Sequence, residues 1–444
     1  MKKIFCLFCI IQTLCFAVES KSYWYSKLPD NWEVYYEIIS KDGEYSGKFV
    51  SYLSGMQFAG DDMGDITITE DSLSMITNVH AYIFYKGGFN NERNTIQGAN
   101  YYPDGSTLEI ILNKVDDSIA KAFSPRKSKT LSTILQSNDG IPISSLKNAG
   151  FSRNHAETLI NDIIDNKVGE IHAILIAKDS KLVLEEYFYD YDINKTHRLH
   201  SCTKSVISLL VGKAIETGKI SGLETTLDQL FPDQRMNNKY SKVTLEDLLG
   251  MTSGFGKLFV SPDSSGKWIQ EILTSKPISK PGKKFRYDDN NSHLIGDLLC
   301  KSTSRQIDEY ANQILFKPLG INNFHWEYED GYPKAHTGLA LTARDFLKIG
   351  ILVSQNGNLQ GEQIINEEWI IKSTTSRKKA HKTLDYGLHW WRLKKGTGNF
   401  PLAQGAGGQR LYIIPDKNIV CVVFGGNFDS WYPLDDYIWN IIEN

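Results

Sequence analysis

An α/β (α+β) fold, a sheet flanked by helices beside a helical lobe and preceded by a small β-rich domain, is what this 444-residue sequence predicts. Three observations carry the prediction. Short β-branched and aromatic runs separated by turn dipeptides fill about 21–125. From about 140 the patterning turns mixed, and helices alternate with loops until about 375. Strand-like runs occur at both ends of that second region, so its sheet is assembled from the two ends of the segment. The middle then forms a helical lobe, and a cleft between the lobes is a natural place for a site.

In chain order, Lys2 and Lys3 precede an apolar run over 4–18, the pattern of a secretory signal peptide (1–20) with cleavage after Ala17 or Ser20. Cys15 offers a lipoprotein alternative, which Leu14 disfavours. A periplasmic or secreted location is expected. No later segment has the roughly 20 apolar residues that a membrane helix needs. The net charge of −3 points to neither nucleic acid nor a membrane surface. Three of the six cysteines, Cys202, Cys300 and Cys421, lie beyond the signal peptide, and they make no disulfide framework.

Strands are predicted at 32–39, 65–69, 81–85 and 107–112, with turns at Asp42-Gly43, Gly87-Gly88 and Asp104-Gly105. A β-rich accessory domain over 21–130, a meander or small barrel, follows from them. The basic, proline-containing run 124–129 reads as a linker to a domain over 140–444. That domain is expected to open with a helix over 154–164 and a hairpin of 171–177 and 182–188. Thr244 caps a short helix, strands return at 411–414 and 419–424, and a last helix covers 434–442.

The chemistry begins at Ser201-Cys202-Thr203-Lys204. Apolar residues at 206, 207, 210, 211, 214 and 215 recur at helical spacing, so a helix begins at or just after Ser201. Ser-x-x-Lys occurs six times, starting at 118, 124, 144, 201, 264 and 376, and only the one at 201 opens a long apolar helix. Ser201 and Lys204 then share a face. The plain reading is an N-cap serine with an incidental lysine. Yet a lysine in the first turn sits where the helix dipole disfavours cations. That field and partial burial are expected to lower its pKa, and a neutral lysine takes the proton of Ser201. Cys202 reads as a small buried residue behind the helix.

Three further stretches accompany it: Pro281-Gly282-Lys283-Lys284-Phe285-Arg286-Tyr287-Asp288-Asp289, Gln404-Gly405-Ala406-Gly407-Gly408-Gln409, and Leu248-Leu249-Gly250-Met251-Thr252-Ser253-Gly254. Together with Ser201-x-x-Lys204 these resemble the serine β-lactamase and penicillin-binding-protein superfamily. The likeness is to its class C-like branch of esterases, D-amino-acid peptidases and 6-aminohexanoate-dimer hydrolases. It covers about 140–444 and leaves 21–125 outside. It implies a β-lactamase/transpeptidase-like fold with a mainly antiparallel sheet, Ser201 as nucleophile, Lys204 as its base and Tyr287 as the group that carries the proton to the leaving group. It also implies an oxyanion hole from the backbone N–H groups of Ala406 and Ser201, with Gly405, Gly407 and Asp289 lining the substrate.

Two departures stand out. Tyr-x-Asn is here Tyr287-Asp288-Asp289, and Gly405-Ala406-Gly407 lacks the Lys or His and hydroxyl that hold a β-lactam carboxylate. His172, His197, His200 and His293 read as structural. No metal-ligand spacing appears and no cofactor is implied. The expected function is a serine hydrolase that cleaves a small-molecule ester or amide through an acyl-enzyme. The alternatives are a D,D-peptidase or β-lactamase on cell-wall-type substrates, or a non-catalytic binding protein on the same scaffold. The sequence sets no oligomeric state.

Overall fold

A computed structural model of the chain describes residues 19–29, 32–53, 56–78, 83–256, 260–263, 265–428 and 434–443. The expected signal peptide lies outside them except for its last two residues. Two compact units divide the chain between Phe123 and Ser124.

The first unit is a single antiparallel sheet of nine strands: β1 (Ser20–Lys27), β2 (Trp32–Lys41), β3 (Glu44–Leu53), β4 (Met56–Asp62), β5 (Gly64–Ile68), β6 (Ser72–Asn78), β7 (Ile83–Phe89), β8 (Thr95–Tyr101) and β9 (Thr107–Val115). Their order is β4-β3-β2-β1-β9-β8-β7-β6-β5. The two outermost strands, β4 and β5, are separated in sequence by Met63 alone, and the Met63 N–H donates to Gly47 O of β3 at 2.8 Å. One run of chain therefore serves both edges, and the meander comes back on itself as a barrel. Alternate residues fill it, among them Tyr36, Ile38, Met75, Tyr85, Ile110 and Leu112.

The pair Asp42-Gly43 makes the two-residue hairpin turn between β2 and β3, with φ of 54° and 84°. Gly87-Gly88, predicted as a turn, instead lies inside β7. A Cβ on Gly87 would stand 2.5 Å from the Tyr85 hydroxyl and 2.8 Å from Ile96, so this glycine makes room for a packed tyrosine. The strand predicted at 81–85 is β7, and its first two predicted residues lie outside the described ones.

The second unit holds an eight-stranded antiparallel sheet. Its order is Lys181–Tyr187, Ile171–Lys178, Ile419–Gly425, Gln409–Ile414, Gly398–Gly405, Trp391–Lys395, Leu384–Tyr386, Lys378–Lys379. Strands from the two ends of the unit meet where Ile171–Lys178 pairs with Ile419–Gly425. Alternation assigns the faces. Ala173, Leu175, Val420 and Val422 join the core of the buried helices Thr203–Glu216 and Ala343–Ser354. Ile174, Ile176, Cys421 and Val423 join that of the helices Arg153–Ile164 and Leu434–Ile442. With both faces covered, the central strands read as continuous apolar runs rather than alternating ones. Thr244 caps the helix Leu245–Leu249 through a reciprocal bond with Asp247.

The segment read as a linker is fastened to this unit. Arg126 pairs with Glu186 at 2.5 Å and Lys129 with Asp165 at 2.5 Å, and just beyond the segment the Ser132 N–H donates to Glu186 at 2.7 Å.

Candidate active site

A short strand, His197–Arg198, leads into a 3-10 turn, His200–Cys202, and then the helix Thr203–Glu216. His200 has φ +48°, a left-handed conformation that turns the chain sharply into the helix and leaves Ser201 half-buried at its mouth. Cys202 backs the turn. Its buried thiol lies 3.7 Å from Gln409 O, and burial pushes it up to about 12.

Thr203 to Gly212 is entirely buried, which brings Lys204 to 1 % exposure. Its Nζ lies 3.2 Å from Ser201 Oγ, 2.8 Å from the His336 carbonyl and 2.8 Å from Asp289 Oδ1, and Tyr287 is a further side-chain hydrogen-bond partner. The same Nζ stands 4.9 Å from the centre of the Tyr287 ring. The expected lowering of the lysine pKa is overturned. Burial does act against the ammonium, but Tyr287 and the Asp289 carboxylate outweigh it, and the pKa is raised. In this state Lys204 is a cation that donates to Ser201.

Asp289 follows Tyr287 by two residues in the second motif, where the sequence reading gave it a substrate-lining role. It opens the helix Asp289–Thr303, where a carboxylate suits the positive end of the helix, and its side chain reaches Lys204. Asp288 caps the same helix and pairs with Arg286 at 2.7 Å. Tyr287 is stacked on Trp391, with ring centres 5.5 Å apart, and both line the cleft beside Ser201.

The stretch Gly405–Gln409 is the tight end of a hairpin between Gly398–Gly405 and Gln409–Ile414, with Gly407 and Gly408 at φ of 75° and 92°. A Cβ on Gly405 would meet the Leu199 carbonyl at 2.4 Å. Only glycine lets this strand press against the turn that carries Ser201, and the contact brings Ala406 into the cleft wall with Ser201. The amide side chain of Gln409 ties the hairpin down. It donates to Ala406 O at 3.0 Å and Gly425 O at 2.7 Å, and accepts from the Gly425 N–H at 3.1 Å. Asn427 donates its backbone N–H to Gly407 O at 2.9 Å.

The cleft has a volume of about 460 Å³ and is walled by Trp391, Arg410, Tyr412 and Phe428 as well as the residues above. Arg410 is 7 % exposed and donates to the carbonyls of Gly405 and Gln409. A cation thus does stand beside the third motif, although not within it. The sequence reading quoted Gln409 without a role and missed Arg410, Trp391 and Asn427, because their roles come from neighbours across the sheet.

Of the histidines near the motifs, His293 and His389 are buried and His200 is half-buried. Burial, then Arg198 and Lys204, holds His200 down to about 3. Burial and the opposing Asp289, followed by Lys204, leave His293 at about 4, and burial with Lys204 puts His389 at about 3. Among the described residues, Lys204 is the hydrogen-bond partner of the Ser201 hydroxyl.

The Beta-lactamase family model matches residues 164–428, well over half of the chain. The 6-aminohexanoate-dimer hydrolase of Paenarthrobacter ureafaciens is 21% identical over 303 residues, 61% of this chain and 76% of that protein. Among solved structures, a penicillin-binding protein homologue from Caulobacter crescentus superposes with a TM-score of 0.54 at 14% identity, covering 64% of this chain and 92% of that one. EstCE1, a hydrolase with promiscuous acyltransferase activity, superposes with a TM-score of 0.55 at 15% identity, covering 66% and 99%. The chain belongs to the Beta-lactamase family, within the superfamily of serine β-lactamases and penicillin-binding proteins.

Proposed function

We propose that the protein is a serine hydrolase that cleaves an ester or amide through an acyl-enzyme on Ser201. The observation that carries this reading is the convergence of Ser201, Asp289 and the Tyr287 ring on the buried ammonium of Lys204. The substrate carbonyl oxygen points at the N–H groups of Ala406 and Ser201, which stabilise the developing charge. As Ser201 Oγ attacks, its proton passes to Lys204 while Lys204 gives one up to the Asp289 carboxylate. Tyr287 then delivers a proton to the departing alcohol or amine, and water releases the acyl group by the reverse route. Lys204 acts in this scheme as a charged relay rather than as a neutral base.

A fluorophosphonate should label the protein, with the label on the peptide that contains Ser201. Turnover of short-chain p-nitrophenyl esters and of linear amides such as the 6-aminohexanoate dimer then ranks the substrates. No labelling and no turnover would favour the non-catalytic rival. Arg410 in the cleft wall favours a second reading, in which the substrate bears a carboxylate, as β-lactams and cell-wall peptides do. Faster turnover of nitrocefin than of p-nitrophenyl esters would select it. Export is proposed alongside, on the Lys2, Lys3 and 4–18 pattern. N-terminal sequencing of the mature protein, expected to begin near Val18 or Lys21, tests it.

A further inference from the structure

Behind the hairpin that carries Ala406 lies a chain of three titratable side chains, two of them buried histidines. Glu170 Oε1 is 2.7 Å from His172 Nε2, His172 Nδ1 is 2.8 Å from His197 Nε2, and His197 Nδ1 is 2.9 Å from the Arg198 carbonyl. The two ends of this chain decide its proton content. The Arg198 carbonyl only accepts, so His197 Nδ1 carries a hydrogen. A neutral His197 then offers Nε2 as an acceptor, and His172 Nδ1 must donate to it. If His172 is neutral as well, its bare Nε2 faces the carboxylate, and two acceptors meet at 2.7 Å. The chain is satisfied only when it holds one proton more than two neutral imidazoles and a carboxylate.

That proton belongs on His172. The Glu170 side chain is 26 % exposed, whereas His197 is buried, and burial with the neighbouring His172 holds it far below its ordinary value. His172 stacks on Tyr191 at 4.4 Å and meets the edge of Tyr189 at 5.5 Å. His197 lies against Phe424, and Lys195, paired with Asp190 at 2.7 Å, sits over the Tyr191 ring at 5.1 Å. His200 and Lys195 add weak repulsion to a charge on His197.

The two ends of the chain are fixed to the two halves of the candidate oxyanion hole. The Glu170 backbone exchanges hydrogen bonds with the Asn427 side chain at 2.7 and 3.0 Å and accepts the Gly426 N–H at 2.9 Å, and Asn427 holds Gly407 beside Ala406. His197 begins the short strand that runs into Ser201. We propose that Glu170, His172 and His197 form a proton-holding brace whose positioning residues set the spacing of the Ala406 and Ser201 N–H groups, and that loss of its one extra proton lowers turnover. This rests on the hydrolase reading above. Removing the proton sets a lone pair against a carboxylate, pushes Glu170 away and carries Asn427 and Gly407 with it.

The test uses the full chain labelled with 15N-histidine, as wild type, Glu170→Gln and His172→Phe. At the pH of maximal turnover, the wild type should show one imidazole with both ring nitrogens protonated, hydrogen-bonded to a neutral one. Its deprotonation should coincide with an alkaline fall in kcat of about tenfold, a fraction of what a lost oxyanion donor costs, at nearly constant KM. In Glu170→Gln an amide N–H serves the bare Nε2, so the doubly protonated signal and that alkaline fall should vanish together. His172→Phe keeps the stacking and should lower kcat at every pH. The proposal is overturned if no doubly protonated imidazole is present, or if the alkaline fall survives in Glu170→Gln. A wild type that neither labels with fluorophosphonate nor turns over substrate overturns the hydrolase reading and the brace's catalytic consequence with it, while the ring signals still decide the proton.

Discussion

The ammonium of Lys204 and the carboxylate of Asp289 stand 2.8 Å apart, on two different helices that both begin at the cleft. A cation in the first turn of the Ser201 helix is disfavoured by that helix, and an anion in the first turn of the Asp289 helix is favoured by its own. Their pairing compensates the first with the second.

Lys204→Ala is therefore expected to abolish turnover and also to destabilise the fold. Breaking a buried pair costs about 3–5 kcal/mol when both partners are buried, and the partial exposure of Asp289 places this one near or below the lower end. Lys204→Ala with Asp289→Asn should recover part of the loss, because the stranded carboxylate is gone. Melting temperatures of the three proteins check this. A Lys204→Ala variant as stable as wild type would show that the pair contributes nothing. Because the folded pKa of Lys204 is raised, its contribution is fully present below the unfolded value of 10.5 and is lost as pH rises through the folded one.

Ser201→Ala and Tyr287→Phe each remove one hydroxyl and should leave the melting temperature nearly unchanged. Ser201→Ala should eliminate labelling. Tyr287→Phe should slow ester hydrolysis by about 10²–10⁴-fold, the range of a lost proton-transfer group. Full activity in Tyr287→Phe would move proton delivery to another group.

Gly405→Ala inserts a methyl 2.4 Å from the Leu199 carbonyl. Backbone must yield, at about 1–3 kcal/mol. Because the yielding segment carries Ala406 and Ser201, kcat should fall by about 10²-fold or more with little change in KM. A variant with wild-type kcat would mean that the hairpin and the nucleophile turn do not share the oxyanion.

Burial holds His200 and His389 at about 3 and His293 at about 4, each below the ordinary 6.5. For a depressed histidine the unfolded chain binds protons that the folded one refuses. Stability should be full above about 6.5 and should fall steadily as pH drops from there toward 3. Urea midpoints measured across that window should give an uptake of several protons on unfolding. A flat midpoint from neutrality down to about pH 4.5 would contradict the burial of these rings.

Much of the second unit was legible because its signals are local. The 3.6-residue periodicity from Val206 to Ile215, the Thr244 cap and the apolar runs at 171–177 and 419–424 belong to single elements, and their period or capping chemistry survives any tertiary context. Ser201, Lys204 and Tyr287 could be named because three short motifs in one order resemble a known superfamily. In the barrel, strands β1, β3, β4, β6 and β8 went unread. They carry Ser, Gly, Asn and Gln at positions that propensity assigns to loops, and strand pairing overrides propensity.

The sequence alone determined which residue types stand at the start of the Ser201 helix, that the sheet draws on both ends of its segment, and that glycines crowd residues 405–408. Only the tertiary structure decided what those residues do to one another. The charge state of Lys204 depends on Asp289, 85 positions away along the chain, reaching it across the cleft. Glu170, His172 and His197 lie 27 positions apart at most, yet it is the packing of two strands that sets a ring nitrogen of each histidine at hydrogen-bond distance from the other. Electrostatics at a buried site is a sum over spatial neighbours, and spacing along a chain states only the first few of them.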